Sequence, residues 1–94
     1  MMMIKLNDLI PNIDITGTDL TEARIVRTLE LLGEVIGETL KIPEEEVQRL
    51  PDLLKAHLEE RGRPGATARN ERYKLNKVLK LAVAQGLLCG NYLR

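Results

Sequence analysis

The sequence predicts an all-α fold: a small compact helical domain of three main helices, the middle one kinked or split at Pro51, with an extended N-terminal arm. Three observations predict this class. Apolar residues recur at spacings of three and four over most of residues 19–86. Proline and glycine stand where such segments would begin or end. With no Trp or Phe and two Tyr, the core must be built from Leu, Ile, Val and Ala, which favours helices packed on helices.

Residues 1–17 lack helical periodicity, and we expect them to form the arm. The stretch NIDIT alternates polar and apolar residues, as a short extended segment does, but one strand alone cannot form a sheet. Some of the apolar residues of this segment should pin it to the core: Met3, Ile4, Leu6, Leu9 and Ile10.

The first long helix is predicted over residues 19–41. Asp19 followed by Glu22 has the spacing of a capping box. The helix should stop near Lys41, because Pro43 disfavours the helical conformation at Ile42. One stripe at spacings of four and three should face the core: Ile25, Leu29, Leu32, Ile36 and Leu40.

The second helical segment is predicted over residues 43–61. Pro43 suits a first helical position, and Pro51 predicts a bend or break within the segment. Gly62 stands where a helix C-terminus needs a left-handed residue, and Pro64 follows. The apolar side should be formed by Val47, Leu50, Leu54 and Leu58.

The third helix is predicted over residues 67–86, with Thr67 as its cap and Gly86 ending it. Its buried stripe should be Leu75, Val78, Leu79 and Ala82. The remaining residues read as a short tail packed through Leu87, Leu88 and Leu93.

Charge is unevenly distributed along a chain whose net charge is zero. Residues 1–50 hold ten acids and five bases, whereas residues 51–94 hold four acids and nine bases. This polarity suits an anionic ligand for the C-terminal half, or copies of the chain that bind head to tail.

The segment 61–80 holds seven of the fourteen Lys and Arg against one acid, Glu71. Four of its residues should share the outer side of the last helix, and we call them the basic stripe: Arg69, Tyr73, Lys77 and Lys80. Together with Arg61 and Arg63 they are candidates for binding nucleic acid or an acidic partner.

Arg61-Gly62-Arg63-Pro64 is also similar to the core of an AT-hook, which enters the minor groove of DNA. The same four residues are also typical of a helix C-terminus with a glycine cap followed by proline, and we favour that interpretation.

Three glutamates repeat every four residues along the exterior of the first long helix: Glu30, Glu34 and Glu38. We call them the acidic stripe. Like charges at this spacing repel one another mildly, and a basic surface on another molecule would relieve the repulsion.

Gly33 and Gly37 form a small-x-x-x-small pair beside the apolar stripe, and each lowers helix propensity. Close approach of a second helix would explain these glycines, which makes this side a candidate protein interface.

The sequence offers no recognisable catalytic, metal or cofactor site. His57 is the only histidine and has no ligand-type residue at metal-binding spacing. The single cysteine, Cys89, excludes an internal disulfide and suits a reducing compartment, so we expect a cytoplasmic protein. No apolar run approaches the length of a membrane span.

Two functions remain after these exclusions. We favour a small non-enzymatic protein-interaction module, such as a homo-oligomer, an adaptor or an inhibitor-like protein, docking through helix faces and complementary charged stripes. The alternative is a nucleic-acid-binding protein that grips phosphates through the basic C-terminal helix and the loop before it. The zero net charge favours the first function.

Overall fold

The computed structural model describes residues 3–88 and confirms the all-α class. The four α-helices of this part of the chain are α1 (Leu6–Leu9), α2 (Glu22–Ile36), α3 (Leu50–Glu60) and α4 (Gly65–Ala84). Two 3-10 helices, Ile10–Asn12 and Glu44–Arg49, and two short strands, β1 (Met3–Lys5) and β2 (Lys41–Pro43), complete the order. The radius of gyration of 12.5 Å is that of a compact body of this length.

The two strands form a small antiparallel sheet that the sequence did not predict. Ile4 pairs with Ile42, and the backbone amide of Leu6 donates to the carbonyl of Leu40 at 2.9 Å. The first long helix, predicted to reach Lys41, ends at Ile36 instead. Gly37 has a φ of +100°, which no helix accommodates, so the following residues turn into β2.

The N-terminal arm is present and is more structured than a simple extended segment. It forms β1, then α1, then the 3-10 helix, in which Pro11 occupies the first turn. Of the residues expected to pin the arm, Leu6, Leu9 and Ile10 are buried, whereas Met3 is 53% exposed.

The N-cap of α2 is Thr21 and not Asp19, which corrects the sequence prediction. The Thr21 hydroxyl accepts a hydrogen bond of 3.1 Å from the backbone amide of Arg24, three residues on. Thr21 has an extended backbone, as a cap residue needs. Asp19 lies outside the helix and pairs with Lys77 of α4.

The middle segment is split next to Pro51, as predicted. Glu44–Arg49 is a 3-10 helix, and α3 begins at Leu50 with Pro51 in its first turn. Gly62 closes α3 with a φ of +78°. The amide of Arg63 donates to the carbonyl of Leu58, and that of Gly62 donates to Glu59, which is a Schellman motif. The four residues expected on the apolar side are all buried: Val47, Leu50, Leu54 and Leu58.

The last helix, α4, begins at Gly65 and not near Thr67. Pro64 occupies the cap position, and its carbonyl accepts from the amide of Ala68 at 3.1 Å. Gly86, with a φ of +75°, ends the helix as predicted. The predicted stripe of Leu75, Val78, Leu79 and Ala82 is buried, mainly against α3. Cys89, Leu93 and the rest of the predicted tail after Leu88 lie outside the described residues.

The buried side of α2 is rotated relative to the predicted stripe. Thr28, Leu31 and Leu32 are buried, whereas Leu29 and Ile36 are only partly buried. α2 packs on α3 and on the 3-10 helix of the arm, while α3 and α4 form the main helix pair. One flank of α2 therefore faces solvent with apolar residues on it. Between residues 3 and 88, no helix combines the length and the apolar character that crossing a bilayer requires.

Candidate functional site

An open groove of about 590 Å³ runs along the exposed flank of α2. Its apolar lining comes from Val26, Leu29 and Leu40, and Gly33 lies between them. The acidic stripe lines the same groove. Val26 is 54% exposed although it is aliphatic. This surface, which we call the α2 groove, therefore combines apolar contact area with a row of carboxylates.

The apolar surface continues past the N-terminal half of α2. A second hollow of about 290 Å³ shares Val26 and Leu29 with the α2 groove. Its remaining apolar lining comes from Ile13 and Ile15, which follow the 3-10 helix of the arm, and from Pro11. The two hollows together form a continuous apolar track along one side of the molecule.

The helical period explains why these apolar side chains stay accessible. Ile25 and Leu32 point into the core, and the side chain of the next residue, Val26, is turned by about 100° from that direction. Leu29 is half-buried at the border between the core and the groove. Leu40 reaches the end of the groove because its left-handed backbone, with φ of 53°, turns the chain after α2.

The two candidate interface glycines have different roles. Gly37 is needed by the backbone, since its φ of +100° ends α2. Gly33 lies in regular helix, and a Cβ added there would meet no heavy atom within 4 Å. Packing within the chain therefore does not require a glycine at position 33, and the space above it opens into the α2 groove.

Glu34 lies at the centre of the acidic stripe and has two basic residues, His57 and Arg61, as neighbours. Its Oε1 is 3.3 Å from Nε2 of His57 and 3.4 Å from Nη2 of Arg61. The hydrogen bond with His57 lowers the pKa of the Glu34 carboxyl, and the charge of Arg61 contributes in the same direction. Both interactions therefore favour the ionised form of the Glu34 carboxyl.

The other two carboxylates of the acidic stripe are less constrained. Glu30 has a weak contact of 3.5 Å with Arg27 on its own helix, and its side chain is 60% exposed. Glu38, which the sequence placed on the first long helix, lies instead in the turn after Gly37, because α2 ends at Ile36. It has no cationic group within 4 Å among the residues that the structure describes. Both are available to cations of another molecule.

The basic stripe lies on the outer side of α4, as predicted. Tyr73 is 64% exposed. Nζ of Lys77 is 2.5 Å from Oδ1 of Asp19, and this hydrogen bond lowers the pKa of Asp19 and raises the pKa of Lys77. Arg69 and Lys80 are exposed and have no carboxylate within 4 Å among residues 3–88.

The two arginines that precede α4, Arg61 and Arg63, have different surroundings. Arg61 points to Glu34 and thus belongs beside the acidic stripe. Arg63 is exposed next to the Gly62 cap, with no carboxylate within 4 Å in the described part of the chain. The six candidate binding residues of segment 61–80 are therefore not all brought into one patch.

Two small hollows border Tyr73 on α4. One of about 270 Å³ lies against residues 19–24 and includes Lys74 and Lys77 in its lining. The other, of about 120 Å³, is formed with Asn76, Lys77 and Lys80. Neither shares a lining residue with the α2 groove, so the basic stripe and the α2 groove are separate surfaces.

Ion pairs that the sequence did not predict neutralise part of the charge on α4. Nη1 of Arg24 is 2.5 Å from Oε2 of Glu71, and both side chains are largely buried. Arg72 Nε is 2.7 Å from Asp52 Oδ1. These pairs tie α4 to α2 and α3. The pair of Arg72 engages one cation of segment 61–80, whereas the pair of Glu71 neutralises the single acid of that segment.

Sequence reasoning identified the polar half of the α2 groove and missed the apolar half. Leu40 is buried as predicted and also lines the end of the groove, whereas Leu29, predicted to face the core, is only partly buried, and the predicted stripe did not include Val26. The available signal was Val26 itself, an aliphatic residue directly after the core residue Ile25 and therefore off the buried stripe.

Two further observations concern metal-ligating and buried polar side chains in residues 3–88. That part of the chain holds no group of three His, Cys, Asp or Glu side chains placed to bind a metal ion. Its buried side-chain polar atoms all have hydrogen-bond partners. No protein-family model matches the chain, and comparisons with curated proteins and with solved structures found no match either.

Proposed function

We propose that this chain is a non-enzymatic protein-interaction module that binds a helical partner in the α2 groove. The observation that carries the proposal is that apolar lining and three carboxylates share one groove. A complementary partner is a helical surface on which an apolar or aromatic side chain is bordered by Lys and Arg. Helix-in-groove recognition of this kind uses side chains one helical turn apart.

The apolar lining supplies the affinity in this proposal. Val26 is more than half exposed, and the apolar track continues from the α2 groove toward Ile15. Contiguous exposed apolar surface on a small protein typically marks an interaction site. Each 100 Å² of it removed from water contributes about 2.5 kcal/mol before the costs of association.

The acidic stripe supplies the choice of partner. Glu30 and Glu34 are four residues apart on α2, which is about 6 Å along the helix, and Glu38 follows in the turn after Gly37. Cations on a partner helix would meet Glu30 and Glu38, which are less constrained than Glu34, and would relieve the repulsion along the row. An acidic or neutral helix would not supply these cations, so charge selects the partner and accelerates its association.

A synthetic peptide tests this chemistry directly. The probe is a labelled amphipathic peptide of about 20 residues with leucines on one face and lysines along its borders. We expect it to bind the chain in fluorescence anisotropy at low salt. Val26→Asp should weaken binding at least about tenfold, because it places a charge in the apolar lining.

A matched control variant exists on α3. Leu53 is 43% exposed and does not line the α2 groove, so Leu53→Asp should leave peptide binding unchanged. A peptide in which glutamate replaces every lysine should not bind. The proposal is wrong if the lysine peptide does not bind, or if Val26→Asp and Leu53→Asp weaken it equally.

Nucleic-acid binding remains the second candidate because of the surroundings of Tyr73. The ring is 64% exposed, and Arg69 and Lys80 beside it have no carboxylate within 4 Å in residues 3–88. Cations would contact phosphates there, and the ring would stack on a base. The ion pair of Lys77 with Asp19 reduces the charge available.

Titration at two salt concentrations tests the second candidate. Labelled duplex DNA, single-stranded DNA and RNA are each added to the chain at low and moderate salt. Binding that weakens steeply with salt and is lost in Lys80→Glu, but not in Lys5→Glu, supports nucleic acid. The absence of binding at low salt excludes this candidate.

A further inference from the structure

We infer that the occupant of the α2 groove is the basic stripe of a second copy of this chain, so that copies associate head to tail. This inference rests on the proposed function, since it uses the same groove and names its partner. Four observations carry it: the chemistry of the two surfaces, their spacing, the charge of the two halves, and the like charges that oppose symmetric pairing.

The basic stripe has the chemistry that the α2 groove requires. Tyr73 presents an exposed aromatic ring, and cations border it on its own helix. Gly33 leaves open space in the middle of the groove, where no atom lies within 4 Å of an added Cβ. The ring of Tyr73 from a second copy would occupy that space, over Val26 and Leu29.

The spacing of charged residues along the two surfaces also agrees. Glu30 on α2 and Glu38 in the turn that follows α2 are eight residues apart in the chain, and both line the α2 groove. Arg69 and Lys77 are separated by the same eight residues on α4, with Tyr73 midway between them. With the ring above Gly33, the cations before and after Tyr73 would face Glu30 and Glu38, which come before and after Gly33 in the chain and line the same groove. Lys77 can keep its hydrogen bond to Asp19, because an ammonium group has three donors.

The contact must form between copies rather than within one. The α2 groove and the hollows around Tyr73 share no lining residue, so the two surfaces are separate on the same molecule. The N-terminal half of the chain carries a charge of −5 and the C-terminal half +5, so each copy offers both partners at once. The net charge of zero adds no overall repulsion between copies.

Symmetric pairing of like surfaces is disfavoured. Two α2 grooves placed face to face would oppose six carboxylates, and two basic stripes would oppose their cations. The remaining arrangement joins the groove of one copy to the stripe of the next. Such a contact leaves one surface free at each end, so association either continues or closes into a ring.

Two blocked variants test the arrangement. Val26→Asp blocks the α2 groove, and the double variant Tyr73→Ala/Lys80→Glu blocks the basic stripe; all three positions are exposed, and circular dichroism verifies that both variants fold. In sedimentation velocity at low salt, we expect the mass of the unmodified chain to rise with concentration. Each blocked variant alone should be a monomer, and Lys5→Glu should behave as the unmodified chain.

The mixture of the two blocked variants gives the decisive result. The intact stripe of one should bind the intact groove of the other, and the resulting 1:1 dimer cannot extend. High salt should dissociate it, because screening shortens the range of the charges to about 3 Å at 1 M. A chain that stays monomeric at about millimolar concentration, or a mixture that stays monomeric, overturns the inference.

Failure of this inference is distinguishable from failure of the proposed function. If the chain does not self-associate but the lysine peptide still binds the α2 groove, the partner is another protein and the module function stands. If Val26→Asp has no effect on either kind of binding, both proposals fail.

Discussion

Replacing Gly33 by alanine should stabilise the fold. Gly33 lies in the last turn of α2, in ordinary helical conformation, and an added Cβ meets no heavy atom within 4 Å. Neither a clash nor new packing therefore contributes, and only helix propensity changes. Alanine is favoured over glycine in a helix by about 0.5–1 kcal/mol. For a domain of this size we expect the melting temperature to rise by roughly 2–8 °C.

Gly37 provides the matched comparison four residues later. Its φ of +100° and ψ of 160° belong to a region that essentially only glycine occupies. An alanine there should destabilise the fold by about 1–3 kcal/mol. Urea denaturation followed by circular dichroism measures both variants. If Gly33→Ala proved destabilising, or if both variants changed stability in the same direction, the assignment of Gly33 to an external contact would be wrong.

The same substitution separates folding from binding. A methyl group at position 33 enters the α2 groove, where the proposed partner would lie. Gly33→Ala should therefore weaken binding of the lysine peptide while it raises stability. A residue that lowers stability although packing within the chain does not require it is typical of a functional surface.

Three further predictions concern the core, a cap and a titration. Leu79→Ala should lower the free energy of unfolding by about 2–5 kcal/mol in urea denaturation, because this side chain is fully buried. Gly62→Ala should cost about 1–2 kcal/mol, because its φ is +78°, whereas Gly65→Ala, at a helical position with only an ordinary contact of 3.5 Å, should not. The lowered pKa of Glu34 means that its contribution to stability is present above the ordinary pKa of a glutamate and is lost as the pH falls through the lowered pKa. His57→Ala should raise the carboxyl pKa in an NMR titration, and an unchanged midpoint would show that the hydrogen bond has no effect.

Part of the fold could be predicted because its causes are local in sequence. The leucines of α3 and α4 recur at helical spacing, so Leu54 and Leu79 were assigned to the core from the sequence and are buried. Gly62 and Gly86 were recognised as helix ends because a left-handed residue is required there, and both have positive φ.

The candidate site shows where this reasoning stops. The acidic stripe and Gly33 could be identified from spacing and propensity, but their joining with Val26 and Leu40 in one groove could not. Val26 follows a core residue and gives no periodic signal of its own. Leu40 reaches the groove only because the chain leaves α2 at Gly37.

By itself, the sequence determined the all-α class, the position of α3 and α4 and the faces that they bury, since periodicity, caps and helix breakers act over a few residues. Only the tertiary structure decided that β1 pairs with β2, that Arg61 meets Glu34, and that Lys77 meets Asp19. These contacts join residues far apart in the chain. They depend on how the helices are packed against one another, and no local pattern specifies that.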